Sequence, residues 1–469
     1  MRTLCFSIAL VCLGALRCSA EDWPHFLGPR GDNTSTETGL LEKFPTNGVP
    51  IVWEKKIGTG YSAPSVFGGQ LVLHHRIGGE EIVEAFDAGN GEAAWRFAYP
   101  SSYVDPYGYN NGPRCTPVLT SNRCYTFGAE GKLVCLDRLT GKLVWQRNTA
   151  KDWNVPEAFF GVGSTPLLED DKLIVTVGGQ PNSGVVALDA ATGKTIWENG
   201  GKTNWEGVPM IGWPGDRTYR WTTVEKSASY SSPVAATIHG RRHLFCVMCQ
   251  GLVSLNPTNG TVNFSRWFQS VGSDSVNGIS PVVMDDLVFM SAAYFRVGSF
   301  LLRVKPDGKS FEEVWRQPKF FREADANGAP VEPVLGIHWS TPNLLNGFLY
   351  AFDGRNEPDA VFKCVELKTA KLMWSRDERW PGHPPPNSYA QPPLFGRGSA
   401  ILADGKLIAL GEGGLLGLFK PNPNQCEEIS RWQVPSLHFP CWAAPVLSEK
   451  KLYLRSENQL VCLDIAKKN

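Results

Sequence analysis

The chain has 469 residues, with 46 Lys plus Arg balanced by 46 Asp plus Glu and with 48 Gly and 34 Pro. Zero net charge without a basic stripe excludes the usual nucleic-acid binder, and 42% hydrophobic residues exclude a disordered chain. The length exceeds what one compact core spans, which leaves several domains or a repeat architecture such as a propeller.

In chain order, residues 1–20 read as a signal peptide: Arg2, an apolar run from Leu4 to Leu16, then the small residues Ser19 and Ala20 before Glu21. That run is too short to cross a bilayer, and no later segment qualifies, so a secreted or periplasmic protein is expected. Arg17 stands where a lipidation signal at Cys18 wants a small residue. Residues 21–49 form an N-terminal extension, and 50–469 carry a repeat.

Each repeat opens on a small or hydroxyl residue before proline: Pro64, Pro117, Pro166, Pro233, Pro281, Pro342 and Pro445, with Ala400 in an eighth copy. Short β-branched and aromatic runs follow, separated by turn pairs such as Gly68-Gly69, Asp170-Asp171, Asp285-Asp286, Asn346-Gly347 and Asp404-Gly405. Each unit ends on a second signature, seen in Asp87 to Trp95, Asp137 to Trp145 and Asp189 to Trp197, with degenerate copies at Asn256–Phe264, Val304–Trp315 and Glu366–Trp374. The Asp bonds the backbone two residues on and a Gly supplies positive φ, so this segment reverses the chain. The tryptophan then lies on the last strand, where it can fill the gap to a neighbouring blade. Trp53, Trp95, Trp145, Trp197, Trp315 and Trp374 are therefore expected to be structural docking residues, with Trp95, Trp145, Trp197 and Trp374 mostly buried between blades.

Four strands per unit is one propeller blade. The eighth unit stops at Leu463-Asp464 without a tryptophan strand, and Ile51-Val52-Trp53-Glu54 supplies it from the other terminus. The predicted fold is all-β: an eight-bladed β-propeller whose N-terminal strand closes the last blade and removes the open edge.

These repeats resemble the quinoprotein-like (PQQ-like) propeller family, whose docking signature is Asp-x-x-Thr-Gly-x-x-x-Trp. The resemblance covers about residues 50 to 465. The leader Trp23-Pro-His-Phe-Leu-Gly-Pro-Arg-Gly-Asp32, with Gly58-Thr-Gly-Tyr-Ser-Ala-Pro64, is similar to the opening of planctomycete-type secreted members. The family contains quinone-dependent alcohol dehydrogenases and non-enzymatic BamB-type scaffolds, so the fold leaves function open.

The dehydrogenases that the repeats resemble carry adjacent cysteines over the quinone, calcium held by carboxylate and amide oxygens and, in some, Cys-x-x-Cys-His for haem. This chain has no Cys-Cys pair, and Cys246-Val-Met-Cys249 is followed by Gln250. No metal-binding acidic cluster stands out, and His74-His75 would face opposite ways on a strand. His338 is the other histidine of interest. Among the nine cysteines after Ala20, Cys124 and Cys135 face each other if their hairpin centres on Ala129-Glu130, which makes them the disulfide candidate. Cys135, Cys364 and Cys462 share one repeat position and read as small buried residues.

The long insertions, 96–113, 146–162, 198–229, 316–338 and 375–396, are all blade-to-blade connections and share one face. The opposite face is left with tight turns. The residue three before each blade-start proline should ring the channel mouth on the decorated face, giving Tyr61, Arg114, Tyr230, Trp339, Arg397 and Trp442 together with Gly163 and Gly278. Loop aromatics add Tyr103, Tyr107, Tyr109, Trp153, Trp205, Trp213, Trp221 and Trp380. Recognition surfaces favour aromatics and arginine. Arg114 and Arg397 are expected to hold an anionic or planar group, and their alanine variants to weaken capture with little change in melting.

The leading reading is a non-catalytic binding or assembly scaffold of the periplasm or cell envelope. It is monomeric, without metal or cofactor, and takes a protein, peptide or carbohydrate at the loop-rich face. The alternatives are an oxidoreductase resembling PQQ-dependent alcohol dehydrogenases, with PQQ and calcium, and a carbohydrate-binding propeller.

Overall fold

The computed structural model describes residues 21–156, 160–199, 208–209, 218–219, 228–249, 251–268, 276–319, 323–355, 360–376 and 395–468. Residues 1–20, read above as a signal peptide, and Trp205, Trp213, Trp221 and Trp380 lie outside them. Each repeat folds as one antiparallel sheet of four strands, and eight such sheets make the propeller. Blade one, Ser65–Phe67, Gln70–Ile77, Glu80–Asp87 and Ala93–Pro100, sets the pattern. Middle strands such as Lys172–Gly179 are buried on both faces because neighbouring blades cover both, so they read as apolar runs. Outermost strands such as Leu143–Asn148 alternate instead, since solvent covers part of them. The first hairpin of several blades turns through positive φ at Asp170, Asp285, Asn346 and Asp404 (50–55°), the backbone that two-residue hairpins require and that Asp and Asn tolerate.

The tryptophans dock as the spacing implies. Each indole lies over the turn of the next blade and donates its N–H to a carbonyl there: Trp53 to Ala88 (3.1 Å), Trp95 to Arg138 (2.7 Å), Trp145 to Ala190 (3.0 Å), Trp197 to Pro257 (3.0 Å), Trp315 to Leu367 (2.8 Å) and Trp374 to Asn422 (2.8 Å). The signature glycine is what lets the ring approach. A Cβ at Gly141 would sit 2.5 Å from the Trp95 ring, and one at Gly193 2.7 Å from that of Trp145. Trp145 and Trp197 are buried, whereas Trp53, Trp95, Trp315 and Trp374 are half-buried, so the burial expected of Trp95 and Trp374 is only partial. In three blades the indole completes a cross-strand rung of tyrosine, cysteine and tryptophan: Tyr125–Cys135–Trp145, Tyr350–Cys364–Trp374 and Tyr453–Cys462–Trp53.

That rung corrects the disulfide expectation. The hairpin pairs Tyr125 with Cys135 and Cys124 with Leu136, one residue away from the assumed register. A one-residue shift puts the two cysteines on opposite faces of the sheet, and both are buried free thiols.

Closure follows the predicted route. Ile51–Lys56 pairs with Gln459–Asp464, completing the blade of Val446–Ser448 and Lys451–Arg455, with Trp53 opposite Cys462. Arg455, fully buried at this seam, donates to the carbonyls of Ser62 (2.8 Å), Gly58 (3.3 Å), Ser456 (3.0 Å) and Glu457 (3.1 Å), and so ties the last blade to the first.

The extension departs from expectation. Instead of leaving the turn face bare, residues 21–42 cross the channel on that side. Trp23 pairs with Val66 of blade one and Pro24 accepts from Leu119 of blade two, while Asn33 and Ser35 bond Leu402 of blade seven. Glu37 then accepts the backbone N–H groups of Glu449 and Lys450 at the first turn of blade eight. Farther on, Phe44 is buried beside Ser430, which occupies the docking-tryptophan position of blade seven, and its N–H donates to the serine hydroxyl (3.0 Å). The extension thus fills a junction that the repeat leaves without a tryptophan.

Candidate functional site

On the loop-rich face the channel mouth holds a cavity of about 220 Å³. Its wall contains all eight residues that precede the blade starts by three: Tyr61, Arg114, Gly163, Tyr230, Gly278, Trp339, Arg397 and Trp442. The blade repeat brings them together because each stands at the top of an innermost strand. Phe26, Asp105, Tyr109, Phe160, Val276, Tyr294 and His338 complete the lining. Phe26 comes from the extension, so the channel is a cup with a floor of its own chain.

Arg76 positions one side of the cup. Its buried guanidinium donates to the carbonyls of Ser101 (2.9 Å), Tyr103 (2.7 Å) and Asn111 (3.1 Å), which fixes the 96–113 connection over the mouth. That loop delivers Asp105, whose Oδ2 accepts from Arg114 at 2.7 Å while Oδ1 accepts the N–H of Tyr107 (2.9 Å) and Tyr109 (3.4 Å). Arg114 also donates to the carbonyls of Gly112 and Asn110 and lies over the rings of Tyr103 (4.9 Å) and Tyr61 (5.9 Å).

Across the mouth, Glu412 comes from the middle hairpin of blade seven. Its Oε2 accepts from Arg397 Nη2 (3.0 Å) and Nε (3.2 Å) and from the Trp442 indole (2.9 Å), and Oε1 accepts the Arg397 backbone N–H (3.0 Å). The pair is buried, with side-chain exposures of 7% and 1%. Arg397 stacks over Trp339 (4.6 Å) and Trp442 (5.1 Å). Both arginines are thus already in ion pairs, against the expectation that they await an anion, yet the mouth retains its cavity. Removing one partner of a buried pair leaves the other charge uncompensated, so Arg397→Ala should lower stability rather than spare it.

His338 packs between Tyr294 and Trp339 at ring distances of 5.2 and 4.4 Å. Its Nδ1 lies 3.1 Å from the Arg355 carbonyl, an acceptor, so Nδ1 carries the proton and Nε2 the lone pair. Burial, with Arg397 and Arg355 nearby, pushes its pKa down to about 3, and the ring is neutral. The aromatic lining is continuous. Tyr61 and Trp339 contact Trp442 at 4.8 and 5.1 Å, Tyr109 bridges Trp442 and Phe160 at 5.7 Å each, and Phe160 meets Tyr230 at 5.8 Å. The Tyr230 hydroxyl accepts the Phe160 N–H at 2.7 Å. Tyr107 (54%), Tyr109 (50%) and Phe439 (53%) remain exposed at the rim.

Sequence reasoning found the ring and missed Asp105, Glu412, Phe160, Tyr294 and Phe26. For Glu412 a signal existed: middle hairpins share the decorated face, and Gly411-Glu-Gly-Gly414 is one of them. His74 and His75 face opposite ways as expected, toward Glu81 (3.2 Å) and Glu84 (3.3 Å). Trp153, taken for a loop aromatic, is buried under Arg147 in the body of the protein.

A propeller of tryptophan-docked, four-stranded blades with a loop-built cup at one mouth defines the class. The chain belongs to the PQQ-like β-propeller family: the family model described as outer membrane protein assembly factor BamB matches residues 46–197 and 79–322. Two curated relatives, dehydrogenase subunits of quinone alcohol dehydrogenases from Komagataeibacter europaeus and Gluconacetobacter polyoxogenes, are 30% and 29% identical over 133 residues. That match spans 25% of this chain and 16% of either relative. Among solved structures, BamB from Moraxella catarrhalis superposes with a TM-score of 0.55 at 14% identity, covering 90% of this chain and 99% of that one. The quinohemoprotein alcohol dehydrogenase from Comamonas testosteroni gives 0.60 at 13% identity, covering 96% and 81%. A europium-containing methanol dehydrogenase gives 0.61 at 13%, covering 94% and 89%. These likenesses establish a shared fold. Among the described residues, no helix is long and apolar enough to cross a membrane.

Among the described residues, the lining of the cup does not fit the quinone and calcium of the dehydrogenases. Calcium takes roughly 6–8 oxygens, whereas the two carboxylates at the mouth, Asp105 and Glu412, have their oxygens committed to arginine, indole and backbone donors. The guanidinium groups that would face a carboxylated quinone are committed in turn. The cavity is also smaller than the roughly 300–1,000 Å³ of pockets for drug-sized ligands.

Proposed function

We propose that this protein is a non-catalytic binding scaffold of the cell envelope that captures a protein partner with its loop-rich face. One observation carries the reading: among the described residues that line the cup, the charges are paired, Arg114 with Asp105 and Arg397 with Glu412, and the rest of the wall is mostly rings. General acid–base or nucleophilic catalysis needs a side chain poised toward a bound substrate, and the two carboxylates of the lining, Asp105 and Glu412, are spent on fixing the wall. The match to the BamB family model supports a partner that is a protein, and the apolar leader of residues 1–20 supports an extracytoplasmic location.

The 133-residue identity to quinone alcohol dehydrogenases favours a second reading, an oxidoreductase. Ultraviolet-visible titration with pyrroloquinoline quinone and Ca²⁺, followed by dye-linked alcohol oxidation, separates the two. The scaffold reading expects neither a saturable spectral change nor turnover. Quinone-dependent alcohol oxidation that Tyr61→Ala and Arg114→Ala abolish would overturn it.

A further inference from the structure

We propose that the cup is an anchor socket for a single uncharged aromatic side chain, presented by a loop or extended segment of the protein partner. The inference rests on the scaffold reading above and specifies what that scaffold grips.

Three observations converge on this chemistry. Among the described residues the lining of the cup is electroneutral, since its guanidinium groups and carboxylates are paired within hydrogen-bond distance, so an ionic ligand would meet no unpaired counter-charge in that lining to offset its desolvation. The cup's volume of about 220 Å³ lies below the roughly 300–1,000 Å³ of pockets for whole drug-sized ligands and suits one side chain.

The third observation decides between a sugar and an aromatic ring. Sugars need donors and acceptors for several hydroxyls. Here the Asp105 and Glu412 oxygens, the Arg114 and Arg397 N–H groups and the Tyr230 hydroxyl are already bonded to the protein. A sugar hydroxyl left unpaired in such a site is penalised. A ring asks only for faces and edges, and Trp442, Trp339 and Tyr61 meet one another at tilted angles of 47–55°, a geometry that one further ring can extend.

The molecule supplies its own precedent. Phe26, on the turn that follows Trp23 and Pro24 where these bond the inner strands, enters the same channel from the opposite mouth and forms the cup floor. The exposed rim of Tyr107, Tyr109 and Phe439 continues the apolar surface outward, as the surround of a buried interface anchor does.

The test is titration of the purified full chain with the N-acetyl amides of tryptophan, tyrosine, phenylalanine and leucine and with methyl β-glucopyranoside, followed by saturation-transfer NMR. The aromatic amides should saturate at least tenfold more tightly than the leucine amide, with no transfer to the glucoside. Tyr109→Ser at the rim and Phe26→Trp at the floor, which narrows the cup, should each weaken aromatic binding about tenfold while circular dichroism and melting show a folded chain. Preferential binding of the glucoside would overturn the proposal and make the cup a carbohydrate site, with the scaffold reading intact. Equal binding of leucine and aromatic amides, or no saturable binding by any of them, would overturn it as well. Quinone-dependent turnover, measured separately, is the outcome that removes the scaffold reading itself.

Discussion

The outer girdle and the channel mouth are built from the same repeat and behave in opposite ways. At the girdle, one position per blade carries the same side chain in six blades, and each indole makes the same bond to a carbonyl of the next blade. At the mouth, one position per blade carries tyrosine, arginine, glycine, tyrosine, glycine, tryptophan, arginine and tryptophan in turn. Uniformity at the rim of the wheel solves a problem that every junction shares, the packing of one sheet on another. Diversity at the hub makes a surface without eightfold symmetry, which a single asymmetric partner can read. The repeat is thus a device for holding eight unlike side chains at equal radius.

Removing the strand that joins the two regions should have the largest effect. Deletion of residues 50–56 strips blade eight of its outer strand and exposes a row of unpaired backbone groups. The expected outcome is loss of the cooperative melting transition with aggregation in size-exclusion chromatography. A soluble monomer with an unchanged melting curve would break the closure account.

Next come single side chains from each region. Trp197→Ala at the girdle should cost about 3–5 kcal/mol in denaturant unfolding, the range for a large buried aromatic. Arg397→Ala at the hub should cost a similar 3–5 kcal/mol, because it strands the Glu412 carboxylate without a counter-charge. An Arg397→Met, Glu412→Leu double variant should recover part of that loss, as apolar replacement of buried pairs does. If Arg397→Ala melted like the parent, the hub charges would be free for a ligand and the comparison would fail there.

A smaller, pH-dependent effect sharpens it. His338 titrates near 3 in the folded protein and near 6.5 when unfolded. The unfolded chain therefore binds the extra proton first, and the stability present above pH 6.5 is lost as the pH falls toward 3. The slope should be about 1.4 kcal/mol per pH unit from this one group. Comparing parent and His338→Gln by denaturant unfolding from pH 7 to pH 4 should show a shallower slope in the variant. The smallest stability change, within about 0.5 kcal/mol, is expected for Tyr109→Ser on the exposed rim.

The girdle was legible in the sequence where the signature holds, though not at the blade-seven junction that Phe44 fills, and the hub was only half so, for a physical reason. A docking tryptophan is fixed by the turn four residues before it, and Asp137 to Trp145 contains the whole instruction. The ring residues could be read from the same register, so Tyr61, Trp339 and Trp442 were placed at the mouth. Their charge state could not. Asp105 stands nine residues before Arg114, in a loop whose path Arg76 decides, and Glu412 lies fifteen residues after Arg397 across a β-hairpin. The error over Cys124 and Cys135 had the same origin on a smaller scale. One residue of register separates a bonded pair from two thiols on opposite faces, and turn composition alone did not fix it.

The extension has a consequence for how the chain reaches its native state. Glu37 bonds the backbone of Lys450, 413 residues later, and Lys56 pairs with Gln459. The first folded segment to leave a ribosome or a translocation pore therefore has to wait for nearly the last. Contacts of such high sequence separation carry the largest loop-closure entropy and form late. Until they form, the first blade lacks its neighbour, the last lacks its outer strand, and both present sheet edges to other chains. Ring closure should be the slow step of folding. The same long tether then lets the ends latch each other, so that opening any one blade leaves the ring held from the far side.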